Sequence, residues 1–72
     1  MYDPMFSIEF FPTVQEAREW IRRCPNLIPF EYLSAESGSG TVRKFKEVYQ
    51  ERYDSDEINV ARRACVVFMH KP

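Results

Sequence analysis

Apolar and polar side chains alternate over residues 5–11, near the beginning of the chain. Successive side chains of an extended backbone point to opposite faces. Phe6, Ile8 and Phe10 therefore share one face, and the polar residues between them share the other. The pattern predicts a half-buried strand, which Pro12 ends.

The hydrophobic period changes from two residues to that of a helix immediately after this strand. Thr13 and Glu16 have the spacing of a capping box, in which the N-cap hydroxyl accepts a hydrogen bond from the amide three residues later. A helix from this cap gathers its apolar residues within an arc of about 120°, and Pro25 ends it. The apolar residues of that arc are Val14, Ala17, Trp20, Ile21 and Cys24.

Residues 27–35 are rich in aliphatic and aromatic side chains and predict a second strand. Pro29 has no N–H group to donate to a neighbouring strand, so this strand is expected at a sheet edge or with a late start. The Ser-Gly-Ser-Gly stretch over residues 37–40 predicts a flexible connection.

Two secondary structures compete for residues 41–53. An extended backbone would place valines and lysines on the same face. A half-buried strand needs one apolar face and one polar face, so this pattern argues against a strand. A helix gathers the apolar residues within an arc of about 140°, so a helix is the prediction. A hairpin that turns at the glycine-rich stretch is the alternative. The residues of the apolar arc are Val42, Phe45, Val48, Tyr49 and Tyr53.

Residues 64–69 form an unbroken apolar run, rich in β-branched side chains, with no polar face. Such a run is typical of a strand covered on both faces, and it predicts the central strand. The element order is then β-α-β-α-β in one domain over residues 1–72, of the α/β class with α+β as the variant. We expect two layers, with both helices on one face of a three-stranded sheet and the other face open.

The charge of the chain is nearly balanced, with 10 Lys and Arg residues against 11 Asp and Glu residues. Residues 1–36 hold six acids and three bases, or −3, and residues 37–72 hold seven bases and five acids, or +2. This balance argues against a nucleic-acid coating protein, which needs a strong positive charge.

The residue types that carry catalysis or bind metals are few and poorly spaced. Cys65 and His70 lie five residues apart, which separates them on a strand and on a helix alike. Cys24 and Cys65 form no paired metal-binding motif. The sequence therefore predicts no enzyme, no metal site and no cofactor. With no basic leader and no apolar run long enough to cross a membrane, we expect a cytoplasmic protein with reduced thiols.

The leading functional hypothesis is a non-enzymatic protein-binding module, a small regulator, adaptor or inhibitor that docks on a larger protein. Its support is the small size and the aromatic content, because large rings are preferred interface anchors. Such small chains are common among phage and mobile-element proteins that act on host machinery, and a homodimer through the open sheet face is a second expectation. The candidate anchors are Tyr2, Phe11, Trp20, Tyr32 and Tyr53.

Nucleic-acid binding is the alternative function, and it rests on the basic second half of the chain. Acidic residues of the predicted second helix intermingle with these bases and weaken that alternative. The candidate residues are Arg43, Lys44, Lys46, Arg62 and Arg63.

Overall fold

The structure is a computed structural model that describes residues 5–36 and 39–72. The predicted element order is confirmed, with one short 3₁₀ turn added before the last strand. The second helix is confirmed against the hairpin alternative. The elements are β1 (Ser7–Phe11), α1 (Val14–Arg22), β2 (Leu27–Ser34), α2 (Ser39–Tyr53), the 3₁₀ turn (Val60–Arg62) and β3 (Ala64–His70).

Helix α1 begins at the predicted cap. The hydroxyl of Thr13 accepts a hydrogen bond from the amide of Glu16 at 3.2 Å, and its Oγ1 donates to Oε2 of Glu16 at 3.5 Å. The cap satisfies an amide that the first turn of a helix leaves without an intrahelical partner. Ala17 and Ile21, both on the predicted apolar face, are buried.

Strand β3 lies in the centre of the three-stranded sheet, in the order β1-β3-β2. Both outer strands run antiparallel to β3. Cys65, Val66, Val67 and Phe68 are each at most 5% exposed, so β3 is covered on both faces, as the unbroken apolar run predicts.

The two helices lie on opposite faces of the sheet, which corrects the expectation of two layers. Cys65 and Val67 pack in one core cluster with Phe45 of α2. Val66 and Phe68 point the other way and pack in a second cluster with α1. The reason is that an apolar residue at every position of β3 needs cover on both faces, which one helix layer cannot supply. Helix α1 covers the face that was expected to be open. The expectation of a homodimer through that face therefore no longer has an open face to rest on.

The return from α2 to β3 is held by polar contacts. Asp54 ends the helix with a φ of 49°, in the left-handed region that aspartate tolerates better than most residues. The amide of Asn59 donates to the Tyr49 hydroxyl at 3.0 Å, and the Asn59 side chain accepts from the amide of Ala61 at 2.8 Å. These contacts tie the loop to the α2-side core and place β3 between its neighbours.

Candidate protein-binding surface

Helix α2 lies closer to β2 than to β1 on its face of the sheet. Its backbone packs against β2 and approaches β1 less closely. Lys44 Nζ lies 3.8 Å from Glu31 Oε2 on β2. Near the end of the helix, the ring of Tyr53 meets the ring of Phe10 on β1 at 5.1 Å between centroids. The helix therefore covers β2 closely and reaches β1 through side chains.

A groove of about 450 Å³ lies between β1 and α2, and we call it the edge groove. Arg52 Nη2 donates a hydrogen bond to the backbone carbonyl of Ile8 at 3.0 Å. The same guanidinium lies 5.8 Å from the ring centroid of Phe10. A backbone acceptor of the edge strand is thus satisfied by a helix side chain. The edge groove is lined by Phe6, Ser7, Ile8, Val48, Glu51 and Arg52.

The edge groove adjoins an apolar patch, formed by the exposed side chains of Ile28 and Phe30 and the half-buried side chains of Phe6 and Met69. The rings of Phe6 and Phe30 lie 4.8 Å apart. Ile28 stands directly opposite Met69 in the strand pair, so both point to the α2 face. Phe30 is 58% exposed and Ile28 is 38% exposed. The patch joins exposed apolar area from both sides of β3.

A bulge in β2 shapes this patch. The pairing with β3 shifts register between Pro29 and Glu31, at Phe30. Proline cannot donate to a strand ladder, and bulges re-aim the side chain they contain. Sequence reasoning missed Phe30 and Ile28 as surface anchors. The available signal was Pro29 between them, which marks an irregular strand edge.

Three of the predicted anchors come together on the α1 side of the sheet. Phe11 and Trp20 have ring centroids 5.4 Å apart, and the guanidinium of Arg18 lies 5.3 Å from the ring centroid of Tyr32. Phe11, Trp20 and Tyr32 are half-buried against the α1-side core. They contribute to the fold as well as to a surface.

Of the other two predicted anchors, the structure describes Tyr53, which lies apart from those three. Tyr53 packs against the α2-side core, with the guanidinium of Arg62 4.6 Å from its ring centroid. Tyr2 lies outside the described residues. The predicted anchors therefore form no single surface within the described residues, and the apolar patch contains none of them.

The basic candidates for nucleic-acid binding have diverse neighbours. Lys44 pairs with Glu31, Arg63 Nη2 lies 2.9 Å from Glu36 Oε1, and Arg62 stacks on an aromatic ring. These partners belong to different parts of the fold, and opposite charges intermingle with the bases. Arg43 and Lys46 line a shallow hollow on α2 together with Val42, Glu47 and Gln50.

The two thiols lie on opposite sides of the sheet. Cys24 is half-buried beside the α1-side core, whereas Cys65 is fully buried in the α2-side core. Burial, together with a smaller contribution from the negative charge of Glu31, raises the pKa of the Cys65 thiol from 9.0 to about 12. A protonated, buried thiol is a poor nucleophile. Within residues 5–36 and 39–72, no group of three metal-ligating side chains comes together.

The raised pKa of Cys65 predicts a loss of stability at alkaline pH. Above pH 9 the unfolded chain releases this proton while the folded chain keeps it up to about pH 12, so the unfolding free energy falls as pH rises through that window. We expect urea midpoints of the wild type to fall more steeply over that range than those of Cys65→Ala. Equal slopes in the two proteins would contradict the prediction.

No described helix is both long enough and apolar enough to cross a membrane. Comparison of the chain with protein-family models, with curated proteins and with solved structures finds no match in any of the three. The function is therefore inferred from the surface residues of the structure.

Proposed function

We propose that this chain is a non-enzymatic protein-binding module that docks on a larger protein through the apolar patch of Phe6, Ile28, Phe30 and Met69. The observation that carries the proposal is the exposure of Phe30, at 58%, beside a second phenylalanine ring. Removal of contiguous apolar surface from water lowers the free energy of association. Aromatic side chains contribute much of the binding energy of protein interfaces.

The surroundings of the patch support a protein partner over a small substrate. The patch adjoins the edge groove at Phe6. Cys65 is buried in the α2-side core, and its raised pKa keeps the thiol protonated. The surface offers aromatic area with few charges, which is the composition of an interface core. A regulator or inhibitor of a larger cytoplasmic protein, of the kind that phages and mobile elements encode, fits this surface.

Substitution of Phe30 tests the proposal. The wild-type chain is used to capture proteins from a lysate of the organism that encodes it, with and without nuclease treatment, and the captured protein is purified and titrated with each variant. We expect Phe30→Asp to weaken binding at least tenfold, because truncation of an aromatic anchor costs about 2 kcal/mol or more.

Val60→Asp is the matched control, since Val60 is 75% exposed and lies in the 3₁₀ turn, outside the patch. It makes the same kind of change and should leave the affinity unaltered. Circular dichroism verifies that both variants are folded. If Phe30→Asp binds as tightly as Val60→Asp, or if the partner is lost on nuclease treatment, the proposal is wrong.

A further inference from the structure

The two edges of the sheet differ in their protection against strand addition. On β2, Pro29 has no N–H to donate and a bulge follows it. Proline, bulges and edge lysines are the devices by which proteins block unwanted strand pairing. The β2 edge is therefore protected.

The edge of β1 has no proline, bulge or lysine, and Arg52 of α2 donates to its Ile8 carbonyl. Its sequence over Ser7–Phe11 has no proline and no lysine, and it pairs with β3 without a register shift. Among the described residues, β1 has a neighbouring strand on one side. A regular, apolar edge strand of this kind is a template for pairing with another strand.

Helix α2, which lies beside the β1 edge, leaves room for a strand from another molecule to pair with β1. The backbone of α2 packs toward β2, and the edge groove occupies the space between α2 and β1. Arg52 bridges the groove to the Ile8 carbonyl. The amide of an added strand can bind the same carbonyl, because a carbonyl oxygen has two lone pairs.

The charges at the edge groove favour a second copy of this chain as the occupant. Glu51 and Arg52 are adjacent on α2 and both line the groove, so its charges cancel. In a two-fold interface each contact occurs twice. Glu51 of one copy then faces Arg52 of the other, and the reverse, which forms two ion pairs. A partner with a strong net charge of one sign could pair with only one of these two side chains and would be repelled by the other.

The sequence of β1 is compatible with antiparallel pairing to itself. When the two-fold axis lies at Ile8, Ser7 stands opposite Glu9 of the second copy, and Phe6 opposite Phe10. A hydroxyl can donate to the facing carboxylate, and facing aromatic side chains stabilise antiparallel pairs. The two glutamates are not directly opposed in this register.

We propose that two copies of this chain associate through their β1 strands, in an antiparallel pair centred on Ile8, to form a continuous six-stranded sheet. Both α2 helices then lie on the same face and exchange the Glu51–Arg52 ion pairs. The β1 edge shares Phe6 with the apolar patch but does not include Ile28 or Phe30 on β2, so the dimer does not depend on the proposed function.

The expected dimer is weak. A standard interface buries about 800 Å² from each partner, which is roughly a sixth of the 5014 Å² surface of this chain. A five-residue strand pair with contacts between two helices is at the small end of this range. We expect dissociation at micromolar concentrations, measured by sedimentation velocity over a concentration series.

Charge reversal on α2 tests the pairing. Glu51→Arg places like charges across the axis, and Arg52→Glu does the same with the opposite sign. Each variant alone should dimerise roughly tenfold more weakly than the wild type, because two favourable charge pairs become repulsive. An equimolar mixture of the two variants should associate more tightly than either alone, since each then supplies the charge that the other lacks.

Glu47→Arg is the matched control, because it makes the same charge change on α2 at a residue that lines a different hollow. It should dimerise as the wild type does. A wild-type chain that stays monomeric to submillimolar concentration would overturn the proposal, as would a mixture that associates no better than its components. Phe30→Asp should dimerise normally, so failure of the dimer and failure of the partner-binding function can be told apart.

Discussion

Replacing Phe45 with alanine is expected to lower the free energy of unfolding by about 3–5 kcal/mol. Phe45 is 0% exposed and belongs to the α2-side core cluster. Its ring lies 5.9 Å from the ring of Phe10 and 5.9 Å from that of Tyr49. The substitution removes one of the ring contacts between α2 and β1 and leaves a cavity that a small core cannot close.

The effect is large relative to the total stability of such a domain. Domains of this size bury a smaller share of their surface than larger ones and are marginally stable, within a general range of about 5–15 kcal/mol. We therefore expect Phe45→Ala to be partly unfolded at 25 °C. Urea denaturation followed by circular dichroism measures this, with Val60→Ala as the exposed control. A loss as small as that of the control would contradict the assigned core.

Phe68→Ala is expected to destabilise the opposite side of the sheet by a similar amount, about 3–5 kcal/mol. Phe68 is 5% exposed, and its ring lies 5.3 Å from the ring of Trp20 on α1. Loss of this contact exposes the indole to water, so the tryptophan emission should shift to longer wavelength. Gln15→Ala, at an exposed position of α1, is the control.

The two sides of the sheet should respond independently. Conservative Phe45→Leu and Phe68→Leu substitutions point into separate clusters, so their effects on the unfolding free energy should add within about 0.5 kcal/mol. If both helices lay on one face, these side chains would share neighbours and their effects would couple. Strong coupling would therefore contradict the three-layer arrangement.

The elements of this fold were predictable because each has a local signal. Thr13 and Glu16 mark the start of α1, and the spacing of Phe45, Val48 and Tyr49 separates a helix from a strand in α2. The apolar run over residues 64–69 also predicted the central strand. That run already implied cover on both faces, and the expectation of two layers disagreed with it.

The candidate surface was less predictable. The aromatic content drew attention to Phe11 and Trp20, which the structure half-buries against the α1-side core. Phe30 lies in a bulge, and neither its exposure nor its contact with Phe6 follows from periodicity. Both depend on where the strand loses its register.

The sequence by itself determined which residues form helices and strands and which side chains need burial, because hydrophobic period, caps and prolines act over a few residues. The tertiary structure decided which face each helix covers, because an apolar stripe specifies that it must be buried and not against which surface. It also decided the position of α2, which leaves the edge groove beside Ile8, and the bulge at Phe30. These features arise from packing between distant segments, and they carry the proposed functions.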